Sequence, residues 1–162
     1  VPPTEDFDLL VIGDQAGFPF LEWMDAAISR LITRFDAGLP TPLILPNPDL
    51  IYPKQIGFGL TSGSMAHIIE AVLKQRYSFI QRDLFIRLGK PEPAIFEEAI
   101  RRAGTRNAIM IGDQLDTDIL GANRCKLASA LVGGGVSLTR PPHANAKACP
   151  DYWLKSLNPN PD

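Results

Sequence analysis

Two aspartates in residues 107–124, NAIMIGDQLDTDILGANR, have surroundings that give them a chemistry. The apolar run at 108–111 is the kind that forms a strand buried on both faces, and it stops at Gly112. Asp113 follows at the carboxyl end of that strand. Asp118 comes next, ahead of an apolar pattern, Ile119, Leu120 and Ala122, that reads as a helix. Open α/β sheets bind ligands at the carboxyl ends of their strands, where the loops form a crevice. Two carboxylates placed there suit a hard cation such as Mg²⁺, which binds through one or two carboxylates plus phosphate oxygens and waters. The same residues also fit a plainer account, in which Asp113 ends a strand and Asp118 complements a helix N-terminus. These two positions alone do not separate the accounts.

The elements that must position them alternate along the chain. Residues 7–12 (FDLLVI) form an expected strand, followed by a helix over 19–36 with Phe20, Met24, Ile28, Leu31 and Phe35 on one face. A short strand at 42–45 leads into a loop over 46–59 rich in proline and glycine. A helix over 62–75 carries apolar residues at 65, 68, 69, 72 and 73, with Ser62 or Ser64 as its cap. A strand at 84–88, a helix at 92–103 with proline in its first turn, the 108–111 strand, a helix at 118–125 and a strand at 127–132 complete the pattern. Beyond Gly133–Gly135 the chain is irregular until DYWLKSL at 151–157. Alternation of this kind predicts an α/β fold with a mainly parallel sheet.

Composition bounds the function. The chain has 162 residues, 45% hydrophobic and 21% charged, the profile of an ordinary globular protein. A net charge of −2 offers no basic footprint, so nucleic acid is not an expected partner. No apolar stretch approaches the ~20 residues of a membrane helix, so no membrane role is expected. The opening VPPTEDFD has neither the basic nor the apolar region of a signal peptide. Cys125 and Cys149 form no disulfide framework and have no metal-ligand spacing, so a cytoplasmic location is expected.

With these pieces in order, a resemblance becomes specific. RLGKP with Lys90, then IFEEAI, then MIGDQLDTDILGA resembles motifs III and IV of the haloacid dehalogenase (HAD) superfamily of phosphohydrolases. Upstream, LILPNPDLIYP and GLTSGSMAHIIEAVL resemble the cap of the NagD-like branch, subfamily IIA. The resemblance runs from about residue 8 to 136. It implies a partial Rossmann-like core, a parallel sheet with helices on both faces, joined to part of a C2-type α/β cap. Residues 1–82 would be the partial cap and 83–162 the carboxyl-terminal half of the core.

The resemblance also implies roles. Phosphoryl transfer needs positioning and charge neutralisation around the equatorial oxygens. A carboxylate attacking a phosphate sets anion against anion, which Mg²⁺ and a lysine must offset. Asp113 would take the Mg²⁺, Lys90 the phosphate and the nucleophile, and Asp118 would support the metal or the lysine. Gln114 and Thr117 lie in the same turn and would line the substrate site, although Thr117 also suits a helix cap. Asn47 and Asp49, in Asn47-Pro48-Asp49, would read the substrate from the cap loop; a proline-containing turn with Asn and Asp bonding its own backbone fits them equally. His67 and His143 have no neighbours that suggest catalysis.

One family feature is missing from the sequence. Members begin with a strand ending in DxDG, whose first Asp is the nucleophile that becomes an aspartyl phosphate, and no Asp-x-Asp-Gly occurs here. The expectation is therefore a carboxyl-terminal piece of a Mg²⁺-dependent phosphatase acting on a small phosphorylated metabolite, a nucleotide or sugar phosphate, and inactive alone. The first strand would be missing from the middle of its sheet, between expected neighbours that include 84–88, 108–111 and 127–132. A homo-oligomer through the cap is left open. A non-catalytic anion-binding or interaction module built on the same fold is the alternative. A nucleotide-binding α/β protein of another lineage would show a glycine-rich phosphate loop, and neither G-x-G-x-x-G nor a Walker-type loop is present.

Overall fold

Helix α1 (Phe20–Asp36) turns a stripe of Met24, Ala27, Leu31 and Arg34 inward, while Phe20, at the start of the expected apolar face, is 40% exposed. Met24 and Leu31 are buried as expected, and Ile28 and Phe35 pack against the same core, so the burial of Arg34 is the unexpected feature. Its guanidinium donates to Thr41 Oγ1 at 2.8 Å, Asp6 Oδ1 at 3.1 Å and Asp8 Oδ1 at 3.1 Å, which makes a buried charge tolerable. This computed structural model describes residues 5–14, 17–137 and 147–158; His143 lies outside them. The chain divides into two compact units, Val1–Leu88 and Gly89–Asp162.

In the first unit three short parallel strands lie in the order β1 (Leu10–Val11), β2 (Leu43–Leu45), β5 (Phe85–Arg87). Leu10 pairs with Leu43, and Leu43 with Phe85. Helices α1 and α2 (Ser62–Arg76) contribute Leu31, Met65, Ile69 and Leu73 to a core shared with Leu43, Leu45 and Phe85. Two expectations change here. The strand at 84–88, expected in the sheet with 108–111, pairs with β2 instead. The loop expected over 46–59 contains an antiparallel hairpin, β3 (Ile51–Pro53) with β4 (Phe58–Leu60), turning at Gly57, whose φ of +74° suits glycine.

Glu70 on α2 is 3% exposed, although an acidic helix residue reads as a surface one. Its Oε1 accepts the N–H groups of Leu84 at 2.9 Å and Phe85 at 3.2 Å, and its Oε2 lies 3.7 Å from Arg87 Nη2. This carboxylate holds the start of β5 against α2 and draws that strand into the first sheet. His67 is half exposed beside it, with Nδ1 3.8 Å from Glu70 Oε2.

The second unit is a parallel sheet ordered β6 (Ile109–Gly112), β7 (Ala128–Val132), β8 (Tyr152–Leu154). Helix α3 (Pro93–Ala103) starts with proline, as expected. Phe96 of α3 packs with Ala122 of α4 (Leu120–Arg124) and Cys125, and Met110 of β6 closes the cluster. Asp151 ties β8 to β7, accepting the Ser129 N–H at 2.9 Å while its own N–H donates to the Ser129 carbonyl at 3.0 Å. The helix expected at 118–125 is displaced: a π-helical turn occupies Leu115–Ile119 and α4 follows it. No described helix is long and apolar enough to cross a membrane.

Candidate functional site

The π turn decides where Asp118 points. With Gln114 as its N-cap, the Gln114 carbonyl accepts both the Asp118 N–H at 3.0 Å and the Ile119 N–H at 3.2 Å. Wide turns of this kind are frequent at functional sites. Here the widening carries Asp118, 2% exposed, back under the end of β6. Its Oδ2 accepts the N–H of Asp113 at 3.0 Å and that of Gln114 at 3.1 Å. Its Oδ1 lies 2.6 Å from Lys90 Nζ. Gly112 makes this possible, because a Cβ there would stand 2.2 Å from Asp118 Oδ2.

Lys90 reaches this carboxylate from the segment just before α3, where the Lys90–Pro91 peptide is cis. Its side chain is 32% exposed, in contrast to the buried carboxylate it meets. Arg124 steadies the same segment, donating to the Pro91 carbonyl at 3.3 Å and to Glu92 Oε1 at 3.2 Å. Lys90, Asp113, Gln114 and Asp118 thus form one bonded cluster.

Asp113 is half-buried. Its Oδ2 accepts the Val136 N–H at 2.9 Å, and its Oδ1 accepts no hydrogen bond from the described residues. A carboxylate with one oxygen steadied and one available is a hard donor of the kind Mg²⁺ takes. Asp118 is not, since both of its oxygens are engaged. Among the described residues no three of His, Cys, Asp or Glu gather as a metal cluster. The donor set is therefore one carboxylate, within the one or two that Mg²⁺ uses alongside phosphate and water. Thr117 Oγ1 is buried without a hydrogen-bond partner among the described residues, and Gln114, not Thr117, caps the turn.

Asn47 and Asp49 belong to the first unit. Asn47 Oδ1 accepts the Asp49 N–H at 3.0 Å, an Asx turn, and the Asn47 carbonyl accepts the Ser62 hydroxyl at 2.9 Å. The Asp49 carbonyl accepts the Thr61 hydroxyl and, at 3.1 Å, the Gly63 N–H; the Leu50 carbonyl accepts the Ser64 hydroxyl at 2.6 Å. Ser62 and Ser64 therefore seat this turn on α2; the N-cap is Thr61, without a side-chain capping bond.

The segment 135–137 escaped the sequence reading. Val136 and Ser137 bond to the Asp113–Leu115 turn through two N–H groups and a hydroxyl. The signal available was the glycine run before them: a Cβ on Gly135 would stand 2.2 Å from Asp113 Cβ.

The chain is similar to known proteins over most of its length. A family model described as HAD-hydrolase-like matches residues 87–159. The chain is 36% identical over 115 residues to D-glycerol 3-phosphate phosphatase of Mycobacterium tuberculosis, covering 71% of this chain and 29% of that protein. It is 31% identical over 160 residues to an acid sugar phosphatase of Staphylococcus haemolyticus, covering 98% of this chain and 55% of the relative. Among solved structures, a glycerol phosphate phosphatase of M. tuberculosis in complex with magnesium superposes with a TM-score of 0.65 at 30% identity, over 90% of this chain and 40% of that one. The chain spans between 29% and 58% of the length of three curated relatives that it matches.

Proposed function

We propose that this chain, which belongs to the HAD superfamily and within it to the NagD-like phosphatases, carries the lysine and metal-carboxylate half of a phosphatase site. The observation that carries the reading is the junction at Asp118. One buried carboxylate holds the Lys90 ammonium and, through two N–H bonds, the backbone on either side of the Asp113–Gln114 peptide.

In this reading Lys90 neutralises phosphate and nucleophile together. Asp118 holds the ammonium in one place, so the cation is positioned before substrate arrives and does not reorganise during the reaction. Asp113 offers its Oδ1 to Mg²⁺, with Val136 fixing the other oxygen. Bound there, the ion would supply Lewis-acid charge neutralisation at a phosphoryl oxygen. Gln114 and Thr117 line the same turn; Asn47 and Asp49, in the first unit, are substrate-reading candidates on the family resemblance alone. The nucleophilic Asp of the family's DxDG motif is not among these 162 residues, so the complete reaction belongs to a polypeptide that contains it. The substrate class is a small phosphorylated metabolite, a sugar or polyol phosphate, as the names of the relatives suggest.

Phosphate release from p-nitrophenyl phosphate with Mg²⁺ tests the reading. This chain alone is expected to match a buffer control. A polypeptide that joins a DxDG segment to these residues is expected to turn over, with Lys90→Ala and Asp113→Asn each lowering kcat by ~10²–10³-fold, the usual cost of one transition-state contact. Near-normal turnover in either variant at saturating Mg²⁺ and substrate removes that residue from the site.

A further inference from the structure

After β7 the chain turns at Gly134, with φ of +83°, and runs back along the end of β6. There it meets Asp113 at three points. The Val136 N–H donates to Asp113 Oδ2 at 2.9 Å, the Ser137 N–H donates to the Asp113 carbonyl at 3.1 Å, and Gly135 lies too close for any side chain. Ser137 Oγ accepts the N–H of Leu115 at 3.0 Å. Leu115 opens the π turn, and the first N–H groups of a helix have no partner within it. The hydroxyl therefore joins the 135–137 segment to the turn that carries Asp118.

We propose that Ser137 is a positioning residue for the metal carboxylate of Asp113. The inference rests on the reading of Asp113 given above. Val136 steadies Asp113 Oδ2 only while its own peptide stays put, and the Ser137–Leu115 bond is what ties that peptide to the π turn. Without the hydroxyl, the Leu115 N–H loses its acceptor, and of the two Ser137 bonds only the one from its N–H to the Asp113 carbonyl still holds the segment. Asp113 then gains rotational freedom that cation binding must remove. Outer groups that orient a ligand typically contribute ~10–100-fold to metal affinity.

The test titrates this chain with Mn²⁺, as a probe of the Mg²⁺ position, and follows paramagnetic broadening of the Asp113 and Val136 amide signals. Asp113→Asn should abolish broadening at these amides. Ser137→Ala should raise the Mn²⁺ concentration for half-broadening about tenfold, and Ser137→Thr, which keeps the hydroxyl, should restore it. A Ser137→Ala titration that overlays the unmodified chain, while Asp113→Asn loses the site, overturns the role of Ser137 and leaves the metal reading intact. Broadening unchanged in Asp113→Asn overturns both. A second measurement needs no variant. Coupling is reciprocal, so Mg²⁺ must strengthen the Leu115–Ser137 bond as much as that bond strengthens Mg²⁺ binding. Saturating Mg²⁺ should slow hydrogen exchange at the Leu115 amide about tenfold, and a rate indifferent to Mg²⁺ overturns the inference even if Ser137→Ala fails to fold.

Discussion

Lys90 Nζ and Asp118 Oδ1 stand 2.6 Å apart across 28 positions of sequence, and the carboxylate is 2% exposed while the lysine side chain is 32% exposed. The asymmetry gives the two residues different duties. Asp118 is fully committed, to one ammonium and two N–H groups, so it is an anchor. Lys90 keeps about a third of its side chain in solvent, where an anion can approach it.

Asp118→Ala removes the acceptor for the Asp113 and Gln114 N–H groups as well as the partner of Lys90. Orphaned buried donors cost about 1–3 kcal/mol. A destabilisation in that range should show in denaturant melts. Lys90→Met should destabilise less than Asp118→Ala, because it leaves both backbone bonds in place. The opposite ranking would mean that the ion pair, not the backbone clamp, is the main role of Asp118.

Glu70 offers a parallel test in the first unit. Glu70→Ala leaves the Leu84 and Phe85 N–H groups without their acceptor and Arg87 with Asp83, at 3.9 Å, in place of two carboxylates. The expected loss is about 1–3 kcal/mol, with faster amide exchange at residues 84 and 85. Glu70→Gln keeps a carbonyl oxygen and should recover part of the loss. If amide exchange at 84 and 85 is unaffected, β5 is held by its pairing with β2 alone.

Asp36 sets a pH dependence. A hydrogen bond from the Tyr77 hydroxyl, and then one from Arg76, hold its carboxyl below the ordinary value of 3.8. A depressed carboxylate contributes stability that is present above the unfolded value and lost as pH falls through the folded one. The Tm advantage of the unmodified chain over Asp36→Asn should therefore be steady at neutral pH and shrink below pH 3.8. A gap that stays constant into acid would show that this carboxylate adds nothing through its charge.

Ile109 and Ile111 are each 46% exposed on one face of β6, and among the described strands β6 pairs with β7 alone. An apolar strand with an open ladder edge is a template for association. Expressed by itself, the chain should elute as an associated species and bind a dye for apolar surface, and Ile111→Lys should weaken both effects. A sharp monomer peak without dye binding would show that this edge is protected.

The resemblance to the HAD motifs singled out Lys90, Asp113 and Asp118, and the fold brings the three into one hydrogen-bonded cluster. Gly89 and Pro91 bracket the lysine, an apolar run ends at Asp113, and a helical pattern follows Asp118. The alternation of apolar runs likewise announced an α/β chain with parallel sheets. An apolar run shows that a strand forms but not which strand lies beside it. Residues 84–88 were therefore expected in one sheet with 108–111 and 127–132, whereas β5 pairs with β2. The buried Glu70 and Arg34 were invisible for a related reason, since a charge enters a core only where distant partners meet it, and those partners are set by packing. The π turn arises in the same way: Asp118 binds N–H groups on the far side of Gly112, and the backbone widens to let it reach them. Ser137 had nothing in its own neighbourhood to mark it beyond a run of glycines. Its partner Leu115 is 22 positions away, and only the return of the chain after β7 brings hydroxyl and amide within 3.0 Å. Sequence periodicity reports what each segment buries, whereas hydrogen bonds between segments depend on where the folded sheet carries their ends.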